Sequence, residues 1–150
     1  MTLANELYQD IILEHARRPR NAAALVGPEV VSTHEHNTLC GDDVRLFIET
    51  QGTGPAARIK RVAAVANGCT LSVASGSLLT ESLQGKTIAE ALLLVEQIQA
   101  AATGAGSVLT NELQALGSIA HYPTRVKCAT MVWHAAKKLL MQPDSKSNRV

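Results

Sequence analysis

Three cysteines and one aspartate are the residues of this sequence best suited to metal or sulfur chemistry. Cys40 lies two residues before Asp42, whereas Cys69 and Cys128 stand alone further along the chain. Three thiols cannot all pair within one chain, so metal binding or thiol chemistry is a better interpretation than a disulfide framework. The cysteines form no CxxC pair, and their spacing taken alone is equally compatible with inert buried thiols.

The residues around Cys40 and Cys69 favour ionised thiols that face a common ion. In Cys40-Gly41-Asp42 the glycine gives the loop enough freedom for the thiol and the carboxylate to point the same way. Cys69 precedes a predicted helix, and the partial positive charge at a helix N-terminus stabilises a thiolate over a thiol. Both cysteines are therefore candidate metal ligands.

Cys128 has basic neighbours that would act in the same direction. Arg125 and Lys127 lie just before it in the sequence, and a nearby cation favours the thiolate. We therefore assign these two residues a supporting role. Three thiolates and the Asp42 carboxylate would form a closed four-coordinate site, which suits zinc or iron with inorganic sulfide.

The elements that must position these ligands form two blocks. Apolar spacing predicts a helix at residues 4–17, and strand patterns follow at 29–33, 43–50 and 58–66. After Cys69 the spacing becomes helical, which predicts further helices as follows: one from Cys69 to a stop at Gly85, one at 87–101 begun by a Thr87 capping box, a short one at 109–116, and one at 123–140.

This order of elements predicts an α+β fold. We expect a three-stranded antiparallel sheet, with the N-terminal helix and the C-terminal set of helices packed on it. Residues 1–141 should form a single domain, with a loop or frayed helix end at 100–107 and a mobile polar tail at 142–150. The 150-residue length and 46% hydrophobic content agree with one core.

Charge and hydropathy limit the classes of partner. The net charge is only +1, which gives no strong field for nucleic acid or an acidic membrane. Acidic residues interrupt the first 15 positions, unlike a signal peptide, and no stretch approaches the roughly 20 apolar residues of a membrane span. We expect a cytoplasmic protein, in which thiols stay reduced.

Several blocks of the sequence, in a fixed order, resemble one known family. They are Leu7-Tyr8 with His15, Pro19-Arg20-Asn21, Cys40-Gly41-Asp42, Gly68-Cys69 with Ser72-Val73-Ala74-Ser75, Gly85-Lys86-Thr87, and Arg125-Val126-Lys127-Cys128-Ala129-Thr130. The chain is similar through these blocks to the iron–sulfur cluster assembly family typified by the N-terminal domain of NifU, by IscU and by SufU. The resemblance implies the fold predicted above and a metal held by Cys40, Asp42, Cys69 and Cys128.

Departures from the IscU pattern indicate the SufU branch. Lys127 stands where IscU-type members have histidine, residues 122–127 do not reproduce their Leu-Pro-Pro-Val-Lys docking motif, and the 59-residue offset from Cys69 to Cys128 is longer than theirs. The SufU resemblance implies a zinc-dependent sulfurtransferase that accepts persulfide sulfur from a SufS-type cysteine desulfurase and serves downstream cluster assembly proteins. Cys40, on its glycine-flanked loop, is the predicted acceptor.

Two other functions fit the same ligands. The chain could be a scaffold for a transient [2Fe–2S] cluster, or a structural zinc domain that acts as an allosteric partner of the desulfurase. In each case it would work with a desulfurase rather than as a stand-alone enzyme.

The remaining polar residues have simpler explanations. We interpret His34, His36, His121 and His134 as solvated side chains, and His15 as a packing or capping residue at the end of its helix. Trp133 is predicted to pack in the core. For Ser72, Ser75 and Ser77 we expect helix capping and close packing rather than nucleophilic chemistry, because no histidine–acid pair accompanies them.

Overall fold

The structure, a computed structural model, describes residues 3–37, 41–104, 109 and 111–141. Within these ranges a helix precedes the sheet, and further helices follow it. The elements are α1 (Leu3–Arg17), β1 (Val30–Asn37), β2 (Asp42–Gln51), β3 (Arg58–Asn67), α2 (Thr70–Leu83), α3 (Ile88–Ala102), a 3-10 turn (Asn111–Leu113), α4 (Gln114–Gly117), a second 3-10 turn (Ser118–His121) and α5 (Pro123–Met141).

The sheet is the predicted antiparallel meander, with strands in the order β1-β2-β3. Along β2, Leu46 and Ile48 are buried in the main core shared with the helices, because alternate side chains of a strand face the same side. Phe47 points to the other face, where it packs with Val30 and Ala63. The sheet therefore has apolar residues on both faces, with the larger core on the face that the helices cover.

Helices α2 and α5 cover the main face of the sheet, with α1 against α2 and α3 against α5. Trp133 of α5 is fully buried, as predicted, and its indole N–H donates to Ser75 Oγ at 2.9 Å. None of the helices in the described ranges is both long enough and apolar enough to cross a membrane.

Two predicted elements differ from the structure, one in its length and one in its type. Strand β1 continues to Asn37 instead of ending at Thr33, because its polar second half pairs with the start of β2 rather than with the core. The helix predicted at 109–116 is instead a short α4 between two 3-10 turns. Its apolar positions Leu113 and Leu116 are buried as the helical spacing required, but tighter turns bring them there.

Parts of the predicted organisation fall outside the described residues. These are the tail at 142–150 and residues 105–107 of the predicted loop. The start of that loop is the end of α3, which runs to Ala102. The Thr87 capping box predicted for α3 is present, with the Thr87 side chain accepting from Glu90 N and the Glu90 side chain accepting from Thr87 N.

Candidate metal centre

Three of the four predicted ligands converge at one end of the sheet. Asp42 opens β2, Cys69 is the N-cap residue of α2, and Cys128 lies in the second turn of α5. One ligand atom from each of these side chains lies within 4.8 Å of the others. The fourth predicted ligand, Cys40, lies outside the described residues.

Strand pairing explains why Asp42 meets Cys69. Asp43 pairs with Asn67 at the end of β3, so Asp42 lies beside the turn that leads into α2. The carboxylate of Asp42 is buried, and its Oδ1 accepts a hydrogen bond from the backbone N–H of Cys69 at 2.7 Å. A buried carboxylate requires such partners, because desolvating the charge without them is costly.

The second carboxylate oxygen of Asp42 faces the thiol. Oδ2 lies 3.4 Å from Cys69 Sγ and accepts a hydrogen bond from Ser72 Oγ at 2.7 Å. Ser72 thus holds the carboxylate from the first turn of α2. The predicted capping role of this serine is wrong: the N-cap is Cys69, without a side-chain cap hydrogen bond, and the hydroxyl instead connects α2 to β2.

Gly68 makes this close approach possible. Its φ is +131°, and a Cβ atom at this position would lie 2.1 Å from Asp42 Oδ1 and 2.9 Å from Asp42 Cα. Any side chain would therefore displace the carboxylate. The Gly68-Cys69 pair is a packing requirement as well as a ligand motif.

Two serines of α2 place α5, and with it Cys128. Ser72 Oγ lies 3.3 Å from the carbonyl oxygen of Cys128, and Ser75 Oγ donates to the carbonyl oxygen of Ala129. Cys128 is buried, whereas Cys69 is partly exposed. The site is thus closed on the α5 side and accessible on the side of Cys69.

This donor set fits a zinc ion. Zinc binds thiolate sulfur at about 2.3 Å and carboxylate oxygen at about 2.0–2.2 Å, which separates neighbouring ligands of a tetrahedral site by about 3.5 Å. The observed distance from Cys69 Sγ to Asp42 Oδ2 is 3.4 Å. Arg125 and Lys127 are both exposed at the start of α5, and their supporting role stays a prediction.

The strand histidines face a different carboxylate. His34 and His36 both lie against Oδ1 of Asp43, with His36 Nδ1 at 3.5 Å. The hydrogen bond from His34 is the main cause that holds the pKa of Asp43 below its usual value. These are exposed pairs, as the interpretation of solvated histidines implied.

Of the other histidines, His15 and His134 differ in burial and in their hydrogen-bond partners. His134 accepts a hydrogen bond from Gln99 Nε2 at 2.9 Å, while the side chain of His121 lies outside the described part of the chain. His15 is fully buried and its Nδ1 lies 2.7 Å from Ser77 Oγ. The predicted packing role of His15 is confirmed. The carboxylates near its other nitrogen, Nε2, could not be predicted from the sequence.

An apolar pocket is lined by Thr70 and Leu71, the two residues that follow Cys69. Its volume is about 480 Å³, and α1, the start of α2 and the start of α5 line it. Leu13 and Tyr122, which are among the exposed large side chains, form part of its wall. Arg125 adds a positive charge to it.

The sequence matches the family described as NifU-like N-terminal domain over residues 7–142. An iron–sulfur cluster assembly scaffold protein IscU from Streptococcus pyogenes serotype M1 is 32% identical over 139 residues, covering 91% of this chain and 84% of the relative. A protein named zinc-dependent sulfurtransferase SufU, from Bacillus subtilis strain 168, is 31% identical over 135 residues, covering 88% of each chain.

The fold also matches a solved structure. The N-terminal domain of a NifU-like protein from Brucella abortus superposes with a TM-score of 0.78, at 18% identity, over 95% of this chain and 98% of that one. The family match spans every described element from the middle of α1 to the end of α5. The chain therefore belongs to the NifU N-terminal, IscU and SufU family of iron–sulfur cluster assembly proteins.

Proposed function

We propose that this protein is a zinc-dependent sulfurtransferase of the SUF type, which accepts persulfide sulfur from a cysteine desulfurase. The observation that carries the proposal is the convergence of Asp42, Cys69 and Cys128 within 4.8 Å. Two thiols and a carboxylate, completed by the thiol of Cys40, make the closed tetrahedral set typical of zinc.

Chain geometry supports Cys40 as the fourth ligand. Asn37 pairs with Asp42, so only four residues connect β1 to β2. Cys40 lies two residues before Asp42, and two peptide units span at most about 7.6 Å between Cα atoms. Gly41 has a φ of +74°, a conformation that favours glycine and turns the chain at this point.

Zinc would hold the thiolates without redox chemistry of its own and keep them from oxidation. In the transfer, the Cys40 thiolate attacks the outer sulfur of the desulfurase persulfide. A new S–S bond forms at Cys40 while the S–S bond of the desulfurase breaks, and the desulfurase cysteine leaves as a thiolate. The exchange needs no added oxidant or reductant.

Lys127 favours the sulfurtransferase over the scaffold. Its ammonium group carries three donors and no lone pair, so it offers no ligand atom where IscU-type proteins have histidine. The side chain is also exposed. The B. subtilis relative, named as a zinc-dependent sulfurtransferase, supports the same choice, although the IscU relative is of similar identity.

Metal analysis of protein purified without added metal tests the centre. We expect about one zinc per chain, and Asp42→Ala should weaken zinc retention while all three thiols stay titratable. Asp43→Ala is the matched control, because Asp43 faces His34 and His36 instead. Equal losses from both variants would contradict the ligand assignment, and iron with acid-labile sulfide would support the scaffold.

Mass spectrometry tests the acceptor. After incubation with a SufS-type desulfurase and cysteine, the wild type should carry one added sulfur, about 32 Da, on Cys40. Cys40→Ala should carry none and should not stimulate the desulfurase. An adduct on Cys69 or Cys128 alone would refute the assignment. Stimulation without any adduct would favour the allosteric zinc domain.

A further inference from the structure

A second group of potential ligands lies at the other end of α2. It consists of His15 on α1, Glu81 on α2 and Glu112 in the first 3-10 turn, with one ligand atom from each within 4.8 Å of the others. The imidazole is fully buried, while the two glutamates are about half exposed. None of these residues belongs to the thiol centre.

The buried second nitrogen of His15, Nε2, lies close to both carboxylates. Nε2 lies 3.3 Å from Glu112 Oε1 and 3.8 Å from Glu81 Oε1. Among the described residues it has no hydrogen-bond partner, although no solvent reaches it. Buried polar atoms of this kind are uncommon, because leaving one unsatisfied costs about 1–3 kcal/mol.

The other ring nitrogen of His15, Nδ1, is hydrogen-bonded to an oxygen, as is usual in metal-binding histidines. Ser77 Oγ lies 2.7 Å from His15 Nδ1 and also accepts from the backbone N–H of Arg20 at 2.9 Å. When Nδ1–H donates to Ser77, the ring lone pair is on Nε2, the nitrogen that lies near Glu81 and Glu112. A ligating imidazole commonly donates its other N–H to an oxygen in this manner.

We propose that His15, Glu81 and Glu112 bind a divalent first-row transition metal ion such as Mn²⁺ or Fe²⁺. One imidazole and two carboxylates form a harder donor set than the thiol centre, and this set suits ions that keep water ligands. Bond lengths near 2.1 Å would separate neighbouring ligands by about 3.0–3.4 Å. The distance from Nε2 to Glu112 Oε1, 3.3 Å, lies in this range, and the distance to Glu81 Oε1, 3.8 Å, is slightly longer.

Space for the remaining ligands lies next to the group. Glu81 and Glu112 line a pocket of about 330 Å³ between α2, α3 and the segment that follows α3. Water molecules there can complete the coordination. A bound ion would also connect the 3-10 turn at Asn111–Leu113 to α1 and α2, so its binding should stabilise the fold.

Manganese titration tests the site on protein that already carries one zinc per chain. Mn²⁺ has little preference for thiolates, and its EPR signal reports the free ion. We expect one Mn²⁺ per chain with paramagnetic broadening of the His15 ring resonances. Glu81→Gln and Glu112→Gln should each weaken binding at least tenfold. Glu14→Gln is the control, because Glu14 is equally exposed beside His15 but pairs with Arg20.

The outcomes separate this site from the thiol centre. Retained zinc with Mn²⁺ affinity lost in both glutamine variants confirms the proposal. Unchanged Mn²⁺ affinity in both variants, or no binding at millimolar Mn²⁺, overturns it and leaves an ion pair between His15 and Glu112. Loss of zinc retention in Asp42→Ala bears only on the proposed sulfurtransferase, because Asp42 belongs to the other cluster.

Discussion

The two ends of α2 hold different chemistry on one helix. At its N-terminus, Cys69 belongs to a largely buried cluster of thiols and a carboxylate, and Ser72 donates to that carboxylate. Toward its C-terminus, Ser77 and Glu81 belong to a cluster of one buried imidazole and exposed carboxylates. In both places a serine hydroxyl holds a ligand from another element.

The difference lies in burial and in the softness of the donors. The thiol centre is closed on the α5 side, where three thiolates and a carboxylate would repel one another without a cation. The carboxylates of the cluster around His15 are about half exposed, so water can screen their charges, and we expect the fold to depend less on an ion there. We therefore expect metal binding at the thiol centre to contribute much of the folding free energy, and metal binding at the His15 cluster to add a smaller amount.

Removing zinc should have the largest effect. If zinc is present at about a thousand times its Kd, it stabilises the folded state by about 4 kcal/mol. Strong chelation should then lower the Tm on the order of 10 °C for a chain of this length. Removing Mn²⁺ from the His15 site should lower the Tm by a small fraction of that shift. Coincident melting of metal-free and zinc-loaded protein would exclude a closed site.

Gly68→Ala should come next, because it combines strain with a collision. The positive φ and the contact with Asp42 together predict a loss of unfolding free energy on the order of 3 kcal/mol, with weaker zinc binding. Gly85→Ala is the control, since Gly85 also has a positive φ, +86°, but no atom within 4 Å of an added Cβ. It should cost about 1 kcal/mol and leave zinc affinity unchanged.

The serine pair on α2 tests whether the two ends are independent. Ser72→Ala should weaken zinc binding and leave Mn²⁺ binding intact, and Ser77→Ala should do the reverse. Each change removes a hydrogen bond to a buried polar group, so each should cost about 1–3 kcal/mol in denaturant unfolding. If either variant weakened the binding of both metals equally, the two ends of α2 would not be independent sites.

The sequence predicted those parts of the structure that local patterns specify. Alternation along β2 and β3, and the capping box at Thr87 and Glu90, set the sheet and α3 almost to the residue. The polar half of β1 could not be predicted, because only its pairing with β2 makes it a strand. The segment after α3 kept its helical spacing of apolar residues, but only the short α4 between two 3-10 turns is α-helical.

The two clusters differ in the same way. Asp42 and Cys69 lie in short sequence motifs, so the sequence alone predicts them as ligands. His15, Glu81 and Glu112 come from three distant segments and meet only because α1 packs on α2 and α4 packs on α1. No spacing along the chain links an isolated histidine to glutamates that are ordinary surface residues in the sequence.

The smallest effect should come from the capping box of α3, which belongs to neither cluster. Thr87→Ala should cost about 1 kcal/mol and leave both metal affinities unchanged.

Hydrogen bonds from Thr87 hold the pKa of Glu90 below its usual value. The stabilisation by the ionised carboxylate is therefore present above the unfolded-state pKa and is lost as the pH falls through the folded-state value. The Tm difference between wild type and Glu90→Gln should shrink on acidification below about pH 4.5. Acid would also release any bound zinc from both proteins, so the relevant quantity is the difference in Tm between them, measured by calorimetry at matched metal content. A difference that stayed constant down to pH 3 would show that the Glu90 carboxylate does not supply the pH-dependent part of the cap.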